Sequence, residues 1–471
     1  MGDHDDVRRF MADPTEWFGR SLTAMHSIPR KELDDLQREA MAVRFADHRE
    51  TIPSVRSAVE RTGTTELREP EDVVPLLFAH AAYKSYPAAL LDRKRYDQLT
   101  RWLDKLTKHD LSHLDVSGCT DIDSWIEVLD EQTPLEVITS SGTTGTLSII
   151  PKDKRGAEVN MGNWRVMYFQ TFGVEPRPED LDPQVDVIWP NFASGKLGHL
   201  RMASMFRRWF TGGDESRFHA LYGDAVGTDL MFLASKLRAA AARGELDRVE
   251  IDPDLLARKS EFESLQARMP DDMARFLQEK LRELAGKRVF VMGSYNLLYE
   301  LATEGLSRGV EAVFAPGSVV ASGGGAKGIV LPPDWQEPVL KFFGVDHLSM
   351  GYGMSEISAM HMMCESGRYH VQPWVIPYVL HPDTNEPYPR EGVQVGRAAF
   401  YDPAYDAHWS GIMSGDEIEL SYEPCSCGRT TLHIAPEIER YSEKQGDDRI
   451  TCAATQQLQH EAIDFLKGIE S

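Results

Sequence analysis

The chain is poor in cysteine and has no long apolar run. Five cysteines in 471 residues (Cys119, Cys364, Cys425, Cys427 and Cys452), with no Asn-x-Ser/Thr sequon, argue against a disulfide-stapled secreted framework and for a reducing compartment. No apolar stretch reaches the roughly 20 residues that span a bilayer. The opening Met-Gly-Asp-His-Asp-Asp is acidic where a secretory signal is basic, so a cytoplasmic location with no membrane span is expected. Positive charge is also scarce. Lys plus Arg number 51 against 74 Asp plus Glu, a net charge of −23 with no basic run, so no nucleic-acid partner is expected. The same field repels phosphates, and any phosphate site must bring its own amides, cations or metal. Gly-x4-Gly-Lys-Ser/Thr, Gly-x-Ser-x-Gly and His-Glu-x-x-His are all absent, which removes the usual triphosphatase-loop, serine-hydrolase and metalloprotease readings.

What remains is an ordinary globular composition, 42% hydrophobic and 27% charged, in a chain long enough for a large core with one or two appended pieces. Residues 1–130 carry helix-period apolar positions such as Tyr96, Leu99, Trp102, Leu103 and Leu106, and read as a helix-rich region packed on the core. From about 135 strand and helix patterns alternate: Val185 to Trp189, Leu230 to Ala242, and Val289 to Met292. Between them Pro270 and Asp271 are expected to start a helix that Gly286 ends. After Val371 the helical period gives way to Val371–Leu380, Val393–Tyr401 and Ile412–Tyr422, a β-rich portion expected to be barrel-like. The fold class is therefore α/β, with layered sheets and helices, a β-rich subdomain and a helix-rich N-terminal lead.

Three segments carry chemistry. Thr139-Ser-Ser-Gly-Thr-Thr-Gly145 lies between two β-rich runs; its glycines and hydroxyls suit a turn whose amides and side chains cradle phosphate. Tyr352-Gly-Met-Ser-Glu356 follows a strand-like Val345 to Met350, and combines an aromatic that can stack on a base with Ser355 as a donor and Glu356 as a metal ligand. Ser322-Gly-Gly-Gly-Ala-Lys-Gly328 formally contains a dinucleotide fingerprint, but Ile329-Val-Leu and Pro332-Pro333 follow it where the fingerprint needs a helix.

The first two segments, with Ser414-Gly-Asp416, resemble the adenylate-forming superfamily of acyl-CoA ligases, luciferases and peptide-synthetase adenylation domains over about residues 135–450. Cys425-Ser-Cys-Gly-Arg-Thr430 is similar to the phenylacetate-CoA ligase and acyl-protein synthetase branch. The resemblance implies ATP and Mg2+ as cofactors, a small carboxylic acid as substrate, and an acyl-adenylate with released pyrophosphate as the product. It implies nucleotide binding by Ser140, Ser141, Gly142, Thr143, Thr144, Gly145, Gly323, Gly324, Gly325, Tyr352, Gly353, Met354, Asp416 and Arg429. Ser355 and Glu356 would act in catalysis, with magnesium on Glu356 and the ribose on Asp416.

The sequence departs from the family in two places. Its Pro-Lys after the loop is replaced by Thr146-Leu-Ser148, leaving Lys152 or Lys154 as substitutes. Gly446-Asp-Asp-Arg-Ile450 is similar to the family hinge but has Gln445 where the arginine stands, which throws the nucleotide contact onto Arg429 or Arg440. Only 21 residues follow Ile450, so most of the family's C-terminal domain is not expected here. The division read from the sequence is 1–130, an adenylate-forming core at 131–435, and a hinge and stub at 436–471.

Cys364, His370, Cys425 and Cys427 supply three thiolates and an imidazole, a set that suits tetrahedral structural zinc, as in relatives of that branch. The acyl acceptor is open among CoA, a carrier thiol, an amine and a partner protein. A catalytically silent nucleotide- or acyl-binding homologue is the alternative to an enzyme.

Overall fold

The computed structural model describes residues 2–141, 146–323 and 331–441. The N-terminal helices supply part of two cores. Helix Arg30–Thr51 buries Leu33, Gln37, Ala40, Met41, Arg44, Phe45 and His48, a stripe at three- and four-residue spacing. Met41 and Phe45 pack with Ile376, Tyr378, Tyr401 and Trp409 of the β-rich part, and Gln37 Nε2 donates to the Pro373 carbonyl at 2.7 Å. Farther along, helices Tyr96–Leu103 and Ile122–Gln132 bury Leu99, Trp125 and Leu129 with Leu147 and Ile149, and so support the strands around the hydroxyl-rich loop.

The strands fall into three groups. A short β1 (Phe78–Ala79) belongs to the last of them. The antiparallel strands β2 (Ile138–Ser141) and β3 (Leu147–Ile150) pair on either side of residues 142–145 in the sequence. A six-stranded sheet follows, from β4 (Asp186–Ser194), β5 (Phe218–Ala225), β6 (Val289–Met292), β7 (Val319–Gly323), β8 (Ser349–Gly353) and β9 (Met360–Met362), in the order β5-β4-β6-β7-β8-β9. The first five are parallel, and β9 turns back antiparallel to β8. Seven strands make the third sheet: β1, β10 (Tyr369–His370), β11 (Ile376–Leu380), β12 (Val393–Tyr401), β13 (Gly411–Ser421), β14 (His433–Ile434) and β15 (Glu439–Arg440). Its path is β10-β14-β13-β12-β11, with β1 and β15 on β13.

Three expectations change. Among the described residues no pairing joins β10 to β11, so the β-rich portion is an open sheet and not a barrel. The helix expected to begin at Pro270 runs from Lys259 to Glu283 with Pro270 inside it. Proline removes one backbone donor, and burial of Phe262, Met269, Phe276 and Leu277 on either side carries the helix through. Tyr352 and Gly353 complete strand β8 instead of following it.

One junction under the hairpin is charged. Asp123 accepts from Thr228 N at 2.9 Å and from its hydroxyl, while Asp229 accepts from Ile122 N at 3.1 Å, so helices Ile122–Gln132 and Thr228–Arg243 cap each other. Burial, then the Asp123 charge, pushes Asp229 up to about 7. The folded state holds that proton more tightly than the unfolded chain, so the contribution is complete below about pH 4 and is lost as pH rises through 7. Asp229→Asn is predicted to gain on wild type by on the order of 2 °C in Tm between pH 5 and pH 8. A constant difference across that range in thermal denaturation would remove the electrostatic account.

Candidate active site

The carboxyl ends of the parallel strands open into a cavity of about 360 Å³. Open parallel sheets place ligands at this edge because the loops there diverge from the strand ends. Trp189, Pro190 and Asn191 come from β4, Met292, Gly293 and Ser294 from the end of β6, Ser322 and Gly323 from β7, and Gly351 and Gly353 from β8. The opposite wall is apolar. Trp164 and Tyr168 lie one turn apart on helix Lys154–Phe169, facing Met202, Met205 and Met360. Asn160, one turn earlier on the same face, donates to the Tyr405 hydroxyl at 3.0 Å. The spacing 160, 164, 168 directly after the hairpin is a sequence signal that motif reading passes over.

Ser140 and Thr139 of β2 reach the same cavity. Thr139 is held by its own amide and hydroxyl, both donating to the Lys196 carbonyl at 3.1 Å. That bond brings the amino end of helix Gly198–Trp209 against the hairpin. The helix starts at Leu197 without a side-chain cap, and Leu197, Gly198 and His199 line the cavity, so its positive end faces a place where an anion is favoured. A Cβ on Gly198 would lie 3.1 Å from Ile138 Cγ2 and 3.6 Å from Ser355 Oγ, which fixes how closely the three pieces meet. Gly142, Thr143, Thr144 and Gly145 lie outside the described residues, as do Gly324, Gly325 and the Gly446–Ile450 segment, and of Ser141 only the backbone pairing with Leu147 is described.

Met354 and Ser355 reach the cavity from the loop between β8 and β9. That loop is tight: a Cβ on Gly353 would sit 2.9 Å from the Ala359 carbonyl oxygen. Its far end is pinned by Asp402, which accepts from Ser358 N at 2.6 Å and Oγ at 2.7 Å. Glu356 forms no ion pair among the described residues, and burial raises its carboxyl above the usual range, with the Lys152 charge opposing. Lys152 is 4% exposed yet lines the cavity. Its ammonium lies 4.8 Å from the Tyr405 ring centre, and burial pulls it down to about 8 while Glu356 holds it up. Lys154 is spent elsewhere, on the Asp130 carbonyl at 2.8 Å.

Tyr352 and Asp416 are partners: the phenol donates to Asp416 Oδ2 at 2.9 Å. Its ring is set among His361, Tyr369 and Phe400 at 6.1–6.3 Å. Arg440 supplies the nearby cation, 3.4 Å from Asp416 Oδ1. Arg429, assigned above to the nucleotide, sits apart from this pair. Its guanidinium is buried in a fork on Glu365 at 2.5 and 3.2 Å and stacked 4.4 Å from the Phe172 ring centre. Of the two arginines considered, Arg440 is the one that lies beside Asp416.

The four sulfur and nitrogen ligand candidates gather as a set. Ligand atoms of Cys364, His370, Cys425 and Cys427 all lie within 4.8 Å of one another. Cys364 Sγ is 3.9 Å from Cys425 Sγ, and Cys427 Sγ is 3.3 Å from His370 Nε2. Tetrahedral zinc with Zn–S near 2.3 Å sets sulfur pairs about 3.8 Å apart, so the donor set and spacing fit that ion. Each cysteine turn closes on a left-handed glycine, Gly367 N donating to the Cys364 carbonyl at 2.9 Å and Gly428 N to that of Cys425 at 3.0 Å.

No family model and no curated protein matches this chain. Among solved structures it is similar to 2-hydroxyisobutyryl-CoA ligase in an open conformation with 2-HIB-AMP and CoA, at 13% identity over 90% of this chain and 77% of that one, TM-score 0.46. The same ligase in its postadenylation state with R3-HIB-AMP gives 13% identity over 94% and 75%, TM-score 0.47. ATP-bound MatB from Rhodopseudomonas palustris gives 16% over 63% and 47%, TM-score 0.30.

Purified protein is predicted to hold about one zinc per chain by metal analysis. Cys425→Ser should lower stability by more than the roughly 1 kcal/mol of an average substitution, because it leaves three ligands without a tetrahedral partner. Zinc-free protein that is fully stable would show the cluster to be unmetallated.

Proposed function

We propose that this chain adenylates a small carboxylic acid, joining AMP to the carboxylate and releasing pyrophosphate. One observation carries the reading: strand β2 of the hydroxyl-rich hairpin, the uncapped end of helix Gly198–Trp209 and the loop bearing Met354 and Ser355 converge on one cavity, with a buried cation at Lys152. A carboxylate oxygen attacks the α-phosphorus, an O–P bond forms, and the bond to pyrophosphate breaks with its electron pair leaving on pyrophosphate. No protein nucleophile is needed, so the site works by placement and charge neutralisation.

In this reading Asp416 takes the ribose hydroxyls, and Ser355 with the helix amides meets the reacting phosphate and carboxylate. Glu356 would hold magnesium, which when bound neutralises triphosphate charge. Lys152 supplies a second cation in place of the lysine missing after the hairpin turn. Trp164, Tyr168, Trp189 and the neighbouring methionines suit an apolar acyl group, and the Tyr168 and Asn160 polar atoms offer it hydrogen bonds. CoA, a carrier thiol, an amine and a protein side chain all remain chemically suitable as the acceptor.

Carboxylate-dependent exchange of labelled pyrophosphate into ATP, over a panel of aryl and aliphatic acids, tests the proposal. Exchange supports it; nucleotide binding without exchange across the panel favours a silent binding protein. Glu356→Gln and Asp416→Ala are each predicted to lower exchange by at least about tenfold, the scale of one lost charged contact. Near-normal rates would remove those roles.

Lys152 gives a separate pH test. If its cation is required, kcat/KM falls as pH rises through about 8, where the free side chain deprotonates. Lys152→Arg should hold activity to higher pH, because guanidinium stays charged. Lys152→Met should lose on the order of tenfold and the alkaline limb with it. An unchanged limb in Lys152→Met assigns the titration to another group.

A further inference from the structure

The cysteine cluster is joined to the N-terminal helices by one hydroxyl. Thr431 Oγ1 lies 3.0 Å from His370 Nδ1 and 2.8 Å from His26 Nδ1, and all three residues are buried. His26 lies in the last turn of the short helix Leu22–Ser27. The adjacent Thr430 strengthens the same junction, its amide donating to the His26 carbonyl at 2.8 Å and its hydroxyl reaching the His26 and Ile28 carbonyls at 3.0 and 2.7 Å. Two consecutive threonines thus couple the segment after Cys427 to residues 26–28.

A hydroxyl carries one hydrogen, so its placement between two ring nitrogens orders the protons. His370 Nε2 is the nitrogen that faces Cys427 Sγ. For it to offer a lone pair to a metal, the ring proton must sit on Nδ1 and be donated to Thr431 Oγ1. The hydroxyl hydrogen is then directed to His26 Nδ1, which accepts it, and His26 carries its own proton on Nε2. That Nε2 is buried with no partner among the described residues. A buried unpartnered donor is costly, so this proton order needs something on the far side that favours it.

We propose that Thr431 and His26 form an outer relay that sets the His370 tautomer for zinc, so that metal affinity and the docking of residues 21–28 are reciprocally linked. Both are positioning residues: neither reaches the cluster with a ligand atom of its own. The inference rests on the zinc reading above and extends it to a segment about 340 residues earlier in the chain.

The test compares the full chain with Thr431→Val, which keeps shape and removes the hydroxyl, and with Thr431→Ser, which restores it. Zinc affinity is read by competition with a chromophoric chelator. Hydrogen exchange reports residues 21–28 with zinc and after its removal, and nitrogen-15 shifts of labelled histidine report the tautomers. Thr431→Val should weaken zinc binding by about 10- to 100-fold, the usual effect of losing a hydrogen bond behind a metal-bound histidine, and Thr431→Ser should recover most of it. In wild type, zinc removal should raise exchange across residues 21–28 and alter the His26 as well as the His370 signals. Should Thr431→Val not fold, the wild-type exchange and histidine signals decide alone. Zinc bound with equal affinity by wild type and Thr431→Val, or residues 21–28 and His26 indifferent to zinc, overturns the relay while leaving the metal site standing. Wild type that binds no zinc overturns both.

Discussion

Asp130 is the interaction on which the candidate site depends. Lying near the end of helix Ile122–Gln132, its carboxylate accepts from Val137 N at 3.0 Å, Lys196 Nζ at 3.2 Å and Arg201 at 2.5 Å. Those donors belong to the start of the hairpin, the turn before helix Gly198–Trp209, and that helix itself. One mostly buried carboxylate therefore sets the hairpin against the helix end, and Thr139 closes the joint on the Lys196 carbonyl. Removing it would strand two cations at a buried joint, which is worse than never having paired them. The arrangement explains why a region without any catalytic motif, residues 96–132, matters to the cavity: it carries the post to which strands β2 and β3 are tied.

The electrostatics of the cavity follow from the composition of the chain. A protein with net charge −23 offers no general attraction to a nucleotide. The positive potential has to be local, and it comes from features hidden in the fold: helix amides beginning at Gly198 and a lysine kept out of water beside Tyr405 and Glu356. Burial makes each such group count for more, because water no longer screens it. The same burial that lowers the proton affinity of Lys152 raises that of Glu356, and the charge of each opposes the shift of the other.

Much of this was legible in the sequence because short loop motifs carry their own geometry. Ser140, Gly323, Gly353, Met354 and Ser355 belong to three separate sequence segments, and all five line one cavity; Tyr352 and Asp416 come to hydrogen-bond distance. The strand at Val289–Met292 and the β-rich character after Val371 were plain from apolar patterning. What escaped is what depends on tertiary packing. Lys152 reads as a surface residue beside Asp153 and Lys154, and only its place under Tyr405 buries it. Pro270 reads as a helix start, and neighbouring burial overrides that local preference. Arg429 reads as a nucleotide contact from its motif, and only the fold shows its pairing with Glu365 and its place over the Phe172 ring. Thr431 and His26 have no spacing that a sequence could reveal, because the contact between them is 405 residues long.

The most direct test of the account is a crystal structure of this chain with a non-hydrolysable acyl-sulfamoyl adenosine, which keeps the shape of an acyl-adenylate. The account predicts the ligand in the cavity at the strand ends, with ribose hydroxyls about 3 Å from Asp416 and the acyl group between Trp164 and Trp189. A ligand bound elsewhere, or one whose ribose and acyl ends leave Asp416 and the tryptophans untouched, would contradict it.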